Sequence, residues 1–407
     1  MMAGIVFIGD DFTGASDSLA TYARHGLSAR LQLAPSQADD GLEVLGLPTD
    51  LRSLTPERAL AEIDRLWPRI EAAAPRVLHL KTCSTFDSAP HVGSIGAVAL
   101  ELARRFRPEI TAVIGGQPSL GRYCAFGTLF ARGPDGAVHR IDRHPIMASH
   151  PVTPMAEADL RRHLAGQGLD GLELISAPDL PDAATAALQL RAGPVLFDVM
   201  KPADQGRIAS LLAAAGGRQL LIGPSSVAEI LTRDRTAREL PEAPPPGTRG
   251  VLLFAGSRSS LTSRQIEAAE GYDKLPLPPE ALGDPDLPAR VAARLATGRP
   301  VLLHLLPGAD YGQSPDALAE TCSQLVAEIL ARQPVGHLGL AGGDTSSRIC
   351  ARLGLAALEY QRNLAPGVPL CLGRHPDPAR DRMRIMLKGG QMGGATLFND
   401  FTALLPA

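Results

Sequence analysis

Short apolar runs alternate with longer amphipathic segments along most of the chain. The runs Ile5–Ile8, Val77–Leu80 and Ile110–Ile114 are each bounded by polar or glycine-containing turns, as buried strands are. Helix-like segments at Ser16–His25 and Val92–Arg105 separate these runs. Strands that alternate with helices in this way predict an α/β fold.

The same alternation resumes after an interruption rich in proline. Four prolines lie among the seven residues Pro241–Gly247, which cannot form the interior of a helix or strand. The segments beyond it are Val251–Phe254, Ser263–Ala269, Val301–Leu306, Ser314–Ala331, His337–Ala341 and Thr345–Leu353. We therefore predict two domains, 1–236 and 250–407, joined by a linker at 237–249. Each is expected to be an α/β sheet sandwich, with a ligand cleft between them.

Composition narrows the class of protein. The chain has 407 residues, so each predicted domain is long enough to bury its own core. The net charge is −3 and no basic run exceeds a pair, which argues against a nucleic-acid partner. No window holds the roughly 18 apolar residues of a membrane span, and the first residues lack a leader pattern. The widely spaced cysteines favour reduced thiols in a cytoplasmic protein; they are Cys83, Cys124, Cys322, Cys350 and Cys371.

The junction at Gly342, Gly343, Asp344 and Thr345 is the most informative stretch of the chain. Glycines that end a strand and open a helix leave backbone N–H groups free to face an anion. Asp344 could hold Mg²⁺ or orient a nucleophile, and Thr345 could cap the helix or reach a phosphate oxygen. The alternative is an ordinary strand–turn–helix in which Asp344 or Thr345 is the N-cap.

Two further junctions have the same character. Gly389 and Gly390 follow one strand-like run, and Gly256 with Ser257 follows another. Glycine turns of this kind let a ligand lie directly on the main chain. Three such junctions suggest one crevice at the carboxyl ends of a parallel sheet. None matches the phosphate-loop or dinucleotide fingerprint, so the spacing alone predicts only a phosphate or carboxylate site.

The N-terminal half carries polar clusters at its strand ends. Asp10 and Asp11 follow the first strand-like run, and adjacent carboxylates there call for a polyol, an ammonium or a metal nearby. One of them could instead cap the following helix. The spacing differs from the D-x-D pattern of aspartyl-phosphate phosphatases, which disfavours a hydrolase.

Hydroxyls and charges gather after two other strand-like runs. The residues are Asp50, Arg52, Lys81, Thr82, Cys83 and Ser84, with Asp87 close behind. Lys81 could bind the carboxylate of an acid, while the hydroxyls and Asp87 suit sugar OH groups. A solvated loop is the alternative for the Lys81 cluster. Arg52 suits bidentate carboxylate binding, although a surface ion pair is nearly as plausible.

These motifs together resemble the four-carbon acid sugar kinase family, in order and spacing over nearly the whole chain. The motifs are Gly9–Ala15, Lys81–Ser88, Thr153–Met155, Gly256–Ser259, Gly342–Ser346 and Leu387–Gly390. The resemblance implies an N-terminal sugar-acid-binding domain and a C-terminal nucleotide-binding domain. It implies ATP-dependent phosphorylation of a small acid sugar, with ATP and Mg²⁺. Threonate, erythronate, 3-oxo-tetronates and 3-oxo-isoapionate are the acceptors that it suggests.

The resemblance also assigns residues to the two ligands. Those on the sugar-acid side are Asp10, Asp11, Asp50, Arg52, Lys81, Thr82, Cys83 and Ser84. Those on the ATP side are Ser257, Gly342, Gly343, Asp344, Thr345, Gly389 and Gly390. Asp11 and Asp344 are the candidates for the catalytic aspartate, and the metal ligands are left unassigned.

Three segments depart from the family pattern, one of them Gly115–Ser119, and two other functions stay open. Gly223–Ser226 replaces a Gly-Gly-Ser-Gly turn, and Lys388–Gly390 replaces Lys-Ser-Gly, so the sequence does not choose the acid sugar. One alternative function is a metal-dependent phosphohydrolase, and the other is a non-catalytic sugar-acid-binding protein. Neither a membrane nor a nucleic acid is expected as a partner, and a homo-oligomer is compatible with the sequence.

Overall fold

The computed structural model describes residues 3–34, 41–180, 183–236, 250–378 and 380–404. The strands are β1 (Ile5–Gly9), β2 (Ala29–Gln32), β3 (Val44–Pro48), β4 (Val77–Lys81), β5 (Ile110–Gly115), β6 (Arg122–Ala125), β7 (Thr128–Arg132), β8 (Val138–Arg140), β9 (Glu173–Ile175), β10 (Val195–Asp198), β11 (Gln219–Gly223), β12 (Val251–Ala255), β13 (Asp273–Leu277), β14 (Val301–Leu305), β15 (His337–Ala341), β16 (Ala357–Ala365), β17 (Val368–Arg374) and β18 (Met383–Lys388). The α-helices are α1 (Phe12–Arg24), α2 (Pro56–Ala73), α3 (Ile95–Phe106), α4 (Leu160–Ala165), α5 (Ala183–Ala192), α6 (Pro202–Ala215), α7 (Ser226–Leu231), α8 (Ser260–Ala268), α9 (Leu287–Ala296), α10 (Pro315–Arg332), α11 (Gly343–Arg352) and α12 (Leu397–Thr402).

The chain divides into two compact units. The first comprises Met1–Ala29 and Asp39–Arg238, and the second comprises Arg30–Ala38 and Glu239–Ala407. The segment Arg30–Ala38 belongs to the second unit, where β2 pairs antiparallel with β16. The linker predicted at 237–249 lies outside the described residues. The domain boundaries and the cleft therefore stay predictions.

The first unit is built on a parallel sheet in the order β3-β1-β4-β11-β5-β10-β9. In register, Gly9 of β1 lies beside Pro48 of β3 and Lys81 of β4, and Lys81 lies beside Gly223 of β11. The carboxyl ends of these four strands are therefore level. Every polar cluster predicted in the N-terminal half follows one of these ends.

Alternate residues of these strands bury opposite faces of the sheet. Leu78 and Leu80 pack into a core that includes Ile63 of α2, whereas Val77 packs into a second core with Ile208 of α6. Because successive side chains of a strand point to opposite faces, an almost continuous apolar run can bury both. Helices cover each face, which confirms the predicted α/β sandwich. A small antiparallel sheet, β6-β7-β8, lies apart from this layer.

The second unit has parallel strands in the order β13-β14-β12-β15-β18, continued by antiparallel β17 and β16. Ala255 of β12 lies beside Ala341 of β15, which lies beside Lys388 of β18. Three adjacent strands therefore end at one level, and each is followed at once by a glycine. The mixed α/β character predicted for this half is confirmed.

Candidate functional site

In the first unit an arginine joins the two adjacent carboxylates. Arg52 follows β3, and its Nε and Nη2 donate to Asp10 at 3.0–3.2 Å. Its Nη2 also lies 3.1 Å from Oδ1 of Asp11. The backbone N–H of Cys83 donates to Asp10 at 3.3 Å. The cation expected beside the paired aspartates is thus supplied by the protein itself, and Arg52 makes its bidentate contact inside the chain.

Asp11 has a second task as the N-cap of α1. Its Oδ1 accepts a hydrogen bond from the backbone N–H of Gly14 at 2.9 Å. The helix therefore begins at Phe12, four residues before the apolar pattern predicts. The carboxylate is still partly exposed, with 22% of the side chain accessible. Capping and a functional role are therefore compatible for Asp11.

Charge in this cluster is balanced locally. Burial disfavours the charged form of Arg52, but Asp10 and Asp11 outweigh it and raise the pKa of the guanidinium. Burial raises the pKa of Asp10 against the pull of Arg52. At Asp87 burial has the same effect, yet Arg52 and hydrogen bonds from Thr85 and Cys83 leave the pKa lowered. Arg52 thus favours the charged form of Asp10, while burial opposes it.

Lys81 is the other cation of this edge. It is 4% exposed, and its Nζ donates to the carbonyl of Thr82 at 2.7 Å. A Cβ placed on Gly14 would lie only 2.5 Å from that Nζ, so the glycine makes room for the amine. Within the described part of the chain Lys81 forms no ion pair. Lys81 does interact electrostatically with Asp10, and its charge lowers the pKa of that carboxyl.

The remaining predicted residues of this side differ in exposure. Thr82 and Ser84 are buried, Cys83 is half-buried, and Asp50 is exposed. The backbone N–H of Thr82 donates to the carbonyl of Gly223, which ties β4 to β11. Burial raises the pKa of the Cys83 thiol to about 11, so the thiol stays protonated at neutral pH. Asp50 thus lies at the rim of the cluster.

Asp87 is a buried acid that the predicted site set left out. Thr85 donates to its Oδ1 at 2.5 Å, and the hydroxyl of Thr85 lies 2.9 Å from the sulfur of Cys83. The signal was present in the sequence, because Asp87 belongs to the same hydroxyl-rich segment as Lys81. The structure links it electrostatically to Arg52.

In the second unit the glycine turns pack against one another. Gly342 has φ of 131°, and a Cβ there would lie 3.1 Å from the backbone nitrogen of Ser257. A Cβ on Gly256 would lie 2.7 Å from Oγ1 of Thr345. The conformation at Gly342 and the close approach at Gly256 both require glycine. The convergence of these turns on one sheet edge agrees with the prediction.

The helix after β15, α11, begins before Asp344 and Thr345, so neither residue can be its N-cap. Gly342 is the N-cap of α11, which begins at Gly343. Residues Gly343 to Thr345 form the first turn, whose N–H groups have no partner within the helix. The side chain of Asp344 lies outside the described part of the structure. Its predicted catalytic role stays a prediction.

Hydroxyls and one amine connect the turn at Gly256–Ser259 to the turn at Lys388–Gly390. Ser259 is the N-cap of α8 and donates to the carbonyl of Gly390 at 2.6 Å. Thr262 donates to Oγ of Ser257 at 3.2 Å and accepts from Nζ of Lys388 at 2.8 Å. A Cβ on Gly390 would lie 2.9 Å from Oγ of Ser257. The three turns therefore form one compact polar cluster.

Lys388 was absent from the predicted site set. It is 1% exposed, and burial lowers its pKa to about 8. The sequence offered the same signal that indicated Lys81, namely a lysine at the last position of an apolar strand.

Among the described residues no group of three or more His, Cys, Asp or Glu side chains could hold a metal ion. None of the described helices is long and apolar enough to cross a membrane.

Comparisons with known proteins agree with this division of the chain. A family model described as "Sugar-binding N-terminal domain" matches residues 5–231, and one described as "Nucleotide-binding C-terminal domain" matches residues 252–398. The two clusters of polar residues at strand ends thus fall one in each domain.

Similar proteins and structures cover almost the entire chain. A 3-oxo-isoapionate kinase of Paraburkholderia graminis is 32% identical, over 97% of this chain and 93% of that protein. A 3-oxo-tetronate kinase of Methylobacterium radiotolerans is 31% identical, over 96% of each. The fold matches a crystal structure of a Haemophilus influenzae protein with a TM-score of 0.77 at 22% identity, over 98% of this chain and 99% of the other. The chain belongs to the four-carbon acid sugar kinase family.

Proposed function

We propose that this sugar-acid kinase transfers the terminal phosphoryl group of ATP to a hydroxyl of a short acid sugar that carries a keto group. The observation that supports this most directly is the pair of anion-binding edges. One contains Lys81 among hydroxyls and carboxylates in a sugar-binding domain. The other consists of glycine turns in a nucleotide-binding domain. Kinase chemistry needs little beyond such positioning and charge neutralisation.

On the acceptor side, Lys81 is proposed to bind the sugar carboxylate. Arg52 is engaged by Asp10 and Asp11, so its proposed role is to hold these acids in place. Its side chain is 27% exposed, which would also allow it to contact the ligand. Asp11 is the proposed acid that orients or deprotonates the attacking hydroxyl, because its carboxylate is partly exposed. Thr82, Cys83 and Ser84 are proposed to supply the remaining polar contacts to the sugar acid, together with Asp50 at the rim of the cluster.

On the nucleotide side, the free N–H groups at the start of α11 are proposed to bind phosphate oxygens. Ser257 and Thr345 lie where their hydroxyls adjoin the turns, and Gly389 and Gly390 allow close approach of the ligand. Mg²⁺ is proposed to enter on the phosphates of ATP, which usually requires only one or two protein carboxylates. Bound there, the ion would neutralise charge on the transferred group.

The acceptor is proposed to be 3-oxo-isoapionate or a 3-oxo-tetronate. Relatives with these activities in their names are 32% and 31% identical to this chain, so the identities alone do not separate the two acids. Both acids place a carboxylate within a few atoms of hydroxyl groups. That spacing suits one buried lysine surrounded by short polar side chains.

An ATP-consumption assay over a panel of acids tests the proposal. The panel comprises 3-oxo-isoapionate, 3-oxo-tetronate, threonate and erythronate, with neutral four-carbon keto sugars as controls. We expect ADP to form with at least one of the oxo acids and far more slowly with the neutral sugars. Binding of an acid without turnover would favour a non-catalytic binding protein. Release of phosphate from a sugar phosphate without nucleotide would favour the phosphohydrolase.

A further inference from the structure

Lys388 places a buried amine at the carboxyl edge of the second sheet. It is the last residue of β18 and is 1% exposed. Its Nζ donates to Thr262 at 2.8 Å and to the carbonyl of Gly390 at 3.2 Å. An ammonium has three N–H donors. Among the described residues it has two oxygen acceptors and no carboxylate partner.

A buried charge without a counter-ion is costly for the folded protein. A neutral glutamine could bridge a hydroxyl and a carbonyl without that cost. Binding of an anionic ligand beside the amine would offset that cost and would explain why a lysine occupies this position. The level of Lys388 in the sheet is the level from which the glycine turns at Gly256, Gly342 and Gly389 begin. A ligand on these turns would carry its phosphates close to the amine.

We propose that Lys388 neutralises the terminal phosphates of the bound nucleotide and that its amine takes up a proton when the nucleotide binds. This inference rests on the proposed kinase function and deepens it. It gives the nucleotide site one specific cation besides the backbone N–H groups. It also makes nucleotide affinity depend on pH in the mildly alkaline range.

The surroundings of Lys388 support a change of protonation. Burial alone lowers its pKa to about 8, so the amine is partly neutral above neutral pH, and an approaching phosphate would restore the charge. The amine contacts the hydroxyl of Thr262 and the carbonyl of Gly390. Thr262 in turn contacts the hydroxyls of Ser257 and Ser259. None of these groups titrates near pH 8. The charged residues in the adjoining turns are Arg258 and Asp344, and the side chain of Asp344 lies outside the described residues.

Calorimetric titration of the full chain with MgADP, without sugar acid, measures this proton directly. The heat is recorded in two buffers with different ionisation enthalpies, at pH 7 and pH 8.5. From a pKa of about 8, we expect uptake of about 0.8 proton per ADP at pH 8.5 and about 0.1 at pH 7. The phosphates of ADP are already ionised at pH 8.5, so they take up none.

Two substitutions at Lys388 separate its charge from its shape. Lys388→Arg keeps a permanent cation, so ADP should bind with no proton uptake. Lys388→Met should weaken ADP binding by about tenfold or more and leave adenosine binding unchanged, because adenosine has no phosphate. The exposed lysine of β13 serves as the matched control, and Lys274→Met should change neither affinity nor proton uptake.

Three results would overturn the inference. The first is ADP binding by the unaltered protein at pH 8.5 without proton uptake, which needs no variant to fold. The second is persistence of the uptake in Lys388→Arg with its loss in Asp344→Asn, which would move the proton to Asp344. The third is equal weakening of ADP and adenosine by Lys388→Met, which would indicate a structural role. Failure of ADP to bind at all would instead contradict the proposed function itself.

Discussion

The two candidate sites occupy the same kind of place, the carboxyl edge of a parallel sheet, but they treat charge differently. In the first unit Asp10 and Asp11 are paired with Arg52, so most of the charge is neutralised within the protein. In the second unit the edge consists of glycine turns, hydroxyls and the amine of Lys388. No ion pair of Lys388 occurs in the part of the chain that the structure describes.

This difference matches what each ligand would demand. An acid sugar carries one negative charge and several hydroxyls, which a set of fixed carboxylates and one free lysine can recognise. The triphosphate of ATP carries several negative charges and offers the protein few contacts other than its charged oxygens. Backbone N–H groups at helix starts, together with an unpaired cation, suit it better. Under the proposed function, the ion pairs of Arg52 would hold the acids of the first site in place, and the N–H groups and amine of the second site would bind phosphate.

Replacing the proposed hydroxyl-orienting acid should give the largest effect. Asparagine is also a good N-cap, so Asp11→Asn should retain α1 while it removes the carboxylate. We expect kcat to fall by about 10² to 10⁴-fold with ADP affinity unchanged, and the melting temperature to fall only slightly from loss of the ion pair with Arg52. Steady-state kinetics and calorimetry check this. The control is Asp170→Asn, which replaces an exposed acid of the same unit and should leave kcat unchanged. A normal kcat in Asp11→Asn would show that Asp11 takes no part in the chemistry.

The next effect should come from a single methyl group in the nucleotide site. Gly342→Ala adds a Cβ 3.1 Å from the nitrogen of Ser257 and strains a backbone with φ of 131°. Relief of roughly 1–3 kcal/mol of strain by movement of the turn should weaken ADP binding by about 10 to 100-fold. Gly298→Ala also places alanine at positive φ, at 81°, but into open space. Equal ADP affinities for the two variants would show that the turn does not contact the nucleotide.

A smaller and more selective change is expected from the sugar-side lysine. Lys81→Met should raise KM for the acid by about tenfold or more, since a charge-assisted hydrogen bond contributes roughly 1.5–3 kcal/mol. KM for ATP should stay the same, as should both constants in Lys201→Met at an exposed lysine of the same unit. If KM for ATP rose while that for the acid held, the roles of the two domains would be reversed.

The last expected effect is not on catalysis but on stability, which should change with pH through a group on the nucleotide side alone. The folded pKa of Lys388, about 8, lies below the ordinary value of 10.5. Between these values the unfolded chain binds more protons, so stability should rise with pH there, by at most roughly 3 kcal/mol. Below pH 8 the amine is charged in both the folded and the unfolded chain, so the folded protein bears the full free-energy cost of the buried charge. Lys388→Met should therefore raise the melting temperature at pH 7 more than at pH 10.5, and an equal shift at both would contradict the assignment.

Much of the fold was predictable because its signals are local. Apolar runs at Ile5–Ile8 and His337–Ala341 correspond to β1 and β15, since a strand buried on both faces must be apolar at nearly every position. The starts of helices were less predictable. α1 begins at Phe12 and α8 at Ser260, in each case before the apolar periodicity sets in, because a polar N-cap decides the start.

The candidate residues could also be recognised in the sequence as polar groups at strand ends. The family resemblance then assigned one set of them to the sugar acid and the other to ATP. The amino-acid sequence by itself determined which side chains stand at the ends of the strands and where glycine permits a close approach. Only the tertiary structure decided their partners. Arg52 meets Asp10 across 42 positions of sequence, and Lys388 meets Thr262 across 126. Such pairs depend on strand order and register, which arise from packing of the whole sheet and leave no periodic trace in the chain.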